Sequence, residues 1–135
     1  MSVTLDMNGD VAVITMNDGK ANAVNPALLE GLEAAMDKAE ADAKAVVLTG
    51  KPGLFSAGFD HQADEWCQPS KKLIALVNRG GAFALRTVWQ QAARLVAACT
   101  GHCHQPWVCF CWRAAIRVLA RRASLPLAPM KRSTA

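Results

Sequence analysis

The chain has 135 residues, enough for one domain and too few for two independent cores. Hydrophobic residues make up 52% and charged ones 19%, a balance that excludes a disordered or strongly acidic chain. The formal charge of +4 is unevenly placed: residues 1–100 hold nine Lys and Arg against eleven Asp and Glu, whereas residues 101–135 hold six Lys and Arg and no acid. Cysteine repeats the break, since Cys67 alone lies well inside the first hundred residues and Cys99, Cys103, Cys109 and Cys111 crowd the junction. An odd count of five, with no signal-peptide pattern behind Met1-Ser2-Val3-Thr4, argues for a reducing, cytoplasmic setting over a secreted disulfide framework. The best apolar stretch, Trp107–Ala120, is interrupted by Arg113 and Arg117, so no membrane span is expected.

Val3 and Leu5 alternate with polar neighbours, Asn8-Gly9 is a favoured type I′ turn pair, and Val11–Met16 is a strand run, which together predict a β-hairpin. Asn17-Asp18-Gly19-Lys20 reads as a loop. Asn25 offers a helix N-cap with Pro26 at the first helical position, where its missing N–H costs nothing. Leu28, Leu32, Ala35, Met36 and Ala39 then share one helical stripe, with Glu30, Glu33, Asp37 and Glu40 lying away from it. Ala45–Leu48 is a short apolar run of the kind a buried strand shows. The cluster Leu54-Phe55-Ser56-Ala57-Gly58-Phe59-Asp60 follows, and His61–Ser70 has no period and reads as a loop. Lys71–Arg94 is mainly helical in pattern, with an interruption at Gly80-Gly81, and Leu95–Ala98 is a second buried-strand run. The order ββαβαβ predicts an α/β arrangement in which helices return the chain to one sheet. Beyond Gly101, Pro106, Pro126 and Pro129 break the pattern, and only Val108–Arg122 has helical character.

Three blocks carry a family resemblance: Val11–Met16 leading into Lys20-Ala21-Asn22-Ala23, then Ala45–Gly50, then Phe55-Ser56-Ala57-Gly58-Phe59-Asp60. A weaker fourth is Leu95–His102. In this order and spacing they resemble the crotonase superfamily of enoyl-CoA hydratases and isomerases. The likeness covers about three quarters of this chain but only the first part of a crotonase domain. It implies the N-terminal portion of a ββα spiral, a truncated crotonase-like domain, over residues 1–102. The basic residues 103–135 read instead as a non-homologous tail, disordered, irregular or partly helical. It also implies an acyl-CoA thioester substrate, with coenzyme A entering as part of that substrate and no tightly bound cofactor or metal. Intact relatives form homo-oligomers, and no nucleic-acid or membrane partner is implied.

Enzymes of this kind stabilise negative charge on a thioester oxygen with preorganised backbone N–H groups in a water-poor site. The resemblance assigns the first such donor to the Phe59 amide, after Gly58, with Ala57 shaping the turn; a glycine there lets backbone approach the carbonyl. It places Lys20, Ala21, Asn22 and Ala23 along the CoA moiety, where Lys20 either meets a phosphate or remains an ordinary solvated lysine. Asp60 and His61 form a tempting acid–base pair, but the resemblance makes Asp60 structural, and His61 has no evident partner and reads as a loop residue.

The pattern fails after Gly101. A second Gly-rich turn and a helix with a catalytic Glu are expected there, yet no Gly, Asp or Glu follows Gly101. The genetic code allows a test. If the tail is read one frame away, Trp107–Val108 forces Gly, Phe110–Cys111 and Cys111–Trp112 each force Leu, and Met130–Lys131 forces Glu. The permitted hidden reading resembles the missing oxyanion turn, helix and strand, so residues from about 103 onward are expected to derive from a frameshift, and the chain to have little activity. Two other readings of the tail stand beside it. His102-Cys103-His104 with Cys109 and Cys111 has metal-binding side chains but not the spacing of a zinc finger. Arg113, Arg117 and Arg121 fall on one helical stripe, the pattern of a non-enzymatic module that binds anionic lipid, nucleic acid or a protein groove.

Overall fold

The computed structural model of the chain describes residues 2–60, 68–89, 94–99, 101–103 and 117–120. Strands β1 (Val3–Asn8) and β2 (Val11–Met16) form the expected hairpin. Asn8 pairs with Val11, so the central turn residues are Gly9 and Asp10. Of these two only Gly9 has a positive φ, 61°. The turn is thus of the glycine-first, type II′ kind, correcting the expected type I′ centred on Asn8-Gly9.

Strand β3 (Ala23–Val24) leads to helix α1 (Pro26–Asp42), whose N-cap is Asn25, with its side-chain oxygen accepting from the Leu28 amide at 2.8 Å. A cap of this type is worth about 1 kcal/mol. The stripe Leu28, Leu32, Ala35, Met36 and Ala39 is buried as expected, and Leu29 joins it. Burying each large member stabilises the fold by about 1.5–3 kcal/mol. Strand β4 (Ala45–Thr49) then runs parallel to β2. Two short strands follow, β5 (Gly53–Ser56) and β6 (Gly58–Phe59). Helix α2 (Lys71–Trp89) opens with Ser70, whose hydroxyl accepts from the Leu73 amide at 3.1 Å, and continues through Gly80-Gly81 without the expected interruption.

Strands β7 (Arg94–Cys99), β8 (Gly101–Cys103) and β9 (Arg117–Ala120) complete the described chain. The main sheet has the order β1-β2-β4-β7-β9, antiparallel only at the hairpin. Parallel strands advancing in one direction through right-handed crossovers place α1 and α2 on the same face. The core lies between that face and the helices: Ile14, Met16, Val46, Leu48 and Ala97 meet Leu28, Leu32, Met36 and Phe83. The opposite face carries Val13, Val47 and Val96 in register and half-buried, so these strands alternate instead of being buried on both sides.

Strand β9 corrects part of the tail reading. Arg117–Ala120 is extended and parallel to β7, with Val96 opposite Arg117 and Cys99 opposite Ala120, so these four residues are not helical. The open edge of β7 offers unpaired backbone groups, and a strand satisfies them where a helix does not. Residues 61–67, with His61, Trp66 and Cys67, lie outside the described residues, as do 104–116 and 121–135.

The acidic side of α1 is not simply a solvated face. Arg79 of α2 grips Glu33 with two bonds, Nε to Oε1 at 3.1 Å and Nη2 to Oε2 at 2.8 Å. Arg86 binds Asp37 and reaches Glu40 at 3.3 Å, so α1 and α2 are laced along their outer edge. The hydrogen bond from Arg79 holds the Glu33 carboxyl below its usual range, against the opposing effect of burial. A carboxyl depressed in the folded state stabilises the fold above its unfolded pKa, and that contribution disappears as pH falls through the folded value. Wild type is therefore expected to melt at a higher temperature than Glu33→Gln at neutral pH, with the two curves converging in acid. A constant gap across that range would contradict the pairing.

Candidate active site

The loop before β3 is organised by two side chains that clasp each other. The Asp18 carboxylate accepts from the amides of Lys20 at 2.7 Å and Asn22 at 3.1 Å, and the Asp18 amide donates to Asn22 Oδ1 at 3.0 Å. Asn22 is fully buried and has a φ of 50°, a left-handed conformation that Asn tolerates better than most residues. Its Nδ2 donates to the Met16 carbonyl at 2.8 Å and the Phe55 carbonyl at 3.2 Å. The loop is thereby tied both to the end of β2 and to β5.

The turn between β5 and β6 meets this loop directly. The Ala57 amide donates to the Ala21 carbonyl at 2.9 Å, β3 pairs with β6 in the register Ala23–Gly58 and Val24–Phe59, and the Asp60 amide donates to the Val24 carbonyl at 2.9 Å. Gly58 has a φ of 93°, where a side chain would be strained, so the turn requires glycine at this position. Ser56 is fully buried; its hydroxyl donates to the Asn22 carbonyl at 2.8 Å and accepts from the Gly58 amide at 3.1 Å.

The structure therefore brings the two predicted groups, Lys20-Ala21-Asn22-Ala23 and Ala57-Gly58-Phe59, together into one paired unit. Lys20 lies on the exposed rim, where its carbonyl accepts from the Lys51 ammonium, and Asp60 is exposed next to the turn. The contributions of Ser56 and Lys51 were not legible in the sequence, because both depend on contacts between segments about thirty residues apart. Gly80, an interruption in the helical pattern of the sequence, makes room for Phe59: a Cβ there would stand 2.7 Å from Phe59 Cε1. Gly101 likewise lets β8 approach β5, since its Cβ would stand 2.1 Å from the Gly53 carbonyl carbon. Among the described residues, no group of three or more His, Cys, Asp or Glu is placed to hold a metal ion. The His104, Cys109 and Cys111 of the zinc reading lie outside those residues.

The sequence profile of the enoyl-CoA hydratase/isomerase family matches residues 6–133. The chain belongs to this family. An enoyl-CoA hydratase/isomerase family protein from Pseudomonas syringae superposes with a TM-score of 0.67 at 34% identity, over 75% of this chain and 43% of that one. Human mitochondrial delta3-delta2-enoyl-CoA isomerase gives a TM-score of 0.65 at 29% identity, over 76% of this chain and 41% of that one. A peroxisomal fatty acid beta-oxidation multifunctional protein of Oryza sativa subsp. japonica is 43% identical over 63 residues, which are 43% of this chain and 8% of that protein. The chain thus spans less than half the length of these family members. Their crotonase fold is the one described above.

The two helical glycines of α2 separate space from helix propensity. Gly81 faces open space, so Gly81→Ala is expected to stabilise the protein by up to about 1 kcal/mol in a denaturant titration. Gly80→Ala gains the same propensity but displaces the Phe59 ring, and it is expected to show no net gain or a loss. Equal stabilisation by both substitutions would remove Gly80 from the support of the Phe59 turn.

Proposed function

We propose that residues 1–102 carry the front half of an acyl-CoA site: the loop that lies along CoA and the turn that supplies the first oxyanion donor. The observation that carries this reading is the pairing of β3 with β6, which sets Lys20–Ala23 beside Ala57–Phe59. Three amides of the turn segment, those of Ala57, Gly58 and Asp60, hold its shape through Ala21, Ser56 and Val24. The Phe59 amide is the thioester-oxygen donor in this reading, and its side chain is anchored separately against Gly80. Lys20, exposed at the rim, suits contact with a CoA phosphate. The reaction class is hydration or isomerisation of an enoyl-CoA, as the names of the family members suggest, with negative charge developing on the thioester oxygen as the resemblance implies.

One donor does not complete that chemistry. The last glycine is Gly101 and the last carboxylate side chain is Glu65, so the tail supplies neither a second Gly-rich turn nor a candidate catalytic carboxylate. We propose that this chain has little or no hydratase activity by itself, and that residues from about 103 onward derive from a shifted reading frame. The forced Gly, Leu, Leu and Glu of the alternative frame support that origin. The family match runs to residue 133 and so includes this tail in its given frame, which weighs on the other side. The extended Arg117–Ala120 weighs against a helical Arg stripe that binds anionic partners.

Purified protein is expected to leave the conjugated-thioester absorbance of crotonyl-CoA unchanged over the uncatalysed rate. Turnover at rates typical of enzymes, of order 1 per second or faster, would overturn the inactivity. The coding DNA decides the tail: a one- or two-base change near His102 is expected to restore the Gly-rich turn and a carboxylate, and failure to do so rejects the frameshift.

A further inference from the structure

Only two polar residues among the described chain are buried completely, Asn22 and Ser56, and they are bonded to each other. Buried polar groups oppose folding unless every one finds a partner, so such a pair in an apolar core fixes geometry more than it adds stability. Here all the partners lie in the two segments that form the proposed site, or in the strand ends that carry them. The path runs from Asp18 to Asn22, from the Asn22 carbonyl to Ser56 Oγ, and from Ser56 Oγ to the Gly58 amide, with each bond between 2.8 and 3.1 Å. Asn22 also holds φ at 50°, a cost that surrounding contacts must sustain.

We propose that Asn22 and Ser56 are positioning residues, which lock the CoA-side loop and the oxyanion turn into one preorganised unit before any ligand arrives. The inference rests on the acyl-CoA reading for its purpose but not for its physical content. A loop and a turn fixed relative to each other hold the thioester oxygen at a set distance from the point where the CoA chain is gripped. The ordering cost is then met on folding and not on binding. If the two segments moved separately, the loop would bind CoA without directing the carbonyl to the turn.

Residue-resolved amide hydrogen exchange on the ligand-free full chain tests the coupling from both ends. Ser56→Ala is expected to speed exchange at Gly58 by about tenfold and to raise it also at Asp18 and Asn22, with the β1–β2 ladder unchanged. Asp18→Ala, made in the loop and less exposed to the risk of misfolding, is expected to raise exchange at Gly58, across the network. Changes confined to the substituted segment in both variants would overturn the proposal. Titration with CoA and with butyryl-CoA then separates positioning from simple structural support. Ser56→Ala is expected to lose about tenfold in its preference for the thioester over CoA while keeping its affinity for CoA. Equal loss for both ligands overturns the positioning role. If wild type binds neither ligand, the acyl-CoA reading fails, and the exchange experiment still decides whether loop and turn are one unit.

Discussion

The site depends on one constraint, the satisfaction of a buried amide side chain where two loops and two strands converge. Asn22 uses both ends of its side chain, with Oδ1 engaged by the Asp18 amide and Nδ2 shared between the carbonyls of Met16 and Phe55. Those carbonyls end β2 and lie in β5, two segments that do not otherwise pair in the sheet. Replacing the amide by an apolar group would remove the bond that Nδ2 gives to each of these carbonyls, and any buried acceptor left unsatisfied costs about 1–3 kcal/mol. The surrounding core of Ile14, Met16, Leu28 and Phe55 supplies the stability, and Asn22 supplies the direction in which the chain leaves it.

The elements that local physics determines were legible in advance. The cap at Asn25, the helical stripe from Leu28 to Ala39, and the strands around Val46 and Val96 each follow from periodicity or capping within a few residues. What was missed needed distant partners. Glu33 and Asp37 look like solvent-facing charges until α2 brings Arg79 and Arg86 alongside, about fifty residues away in the chain. Gly80 looks like a helix breaker until Phe59 occupies the space above it. Ser56 looks like a turn hydroxyl until the Asn22 carbonyl is set opposite it. The hairpin error has a local cause: Asn8-Gly9 and Gly9-Asp10 both suit two-residue turns, and the strand register selected the second.

The site was legible in a different way. Its residues came from a family likeness, and composition alone would not have chosen Ala57 or Ala21. The structure adds the reason that these small residues belong together: the Ala57 amide and the Ala21 carbonyl meet at 2.9 Å, beside a two-residue parallel pairing. The charge break at residue 100 takes on a definite meaning beside this geometry. The acidic segment before it holds the paired loop and turn, and the basic segment after it has Gly101 as its single glycine and no Asp or Glu.

The central claim is that the loop–turn unit alone is an acyl-CoA half-site. Titrating CoA into isotopically labelled protein and following every backbone amide by NMR tests it most directly. The account predicts saturable shifts concentrated at Lys20–Ala23 and Ala57–Phe59. Shifts absent from both segments, or confined to the basic residues after Gly101, would contradict it.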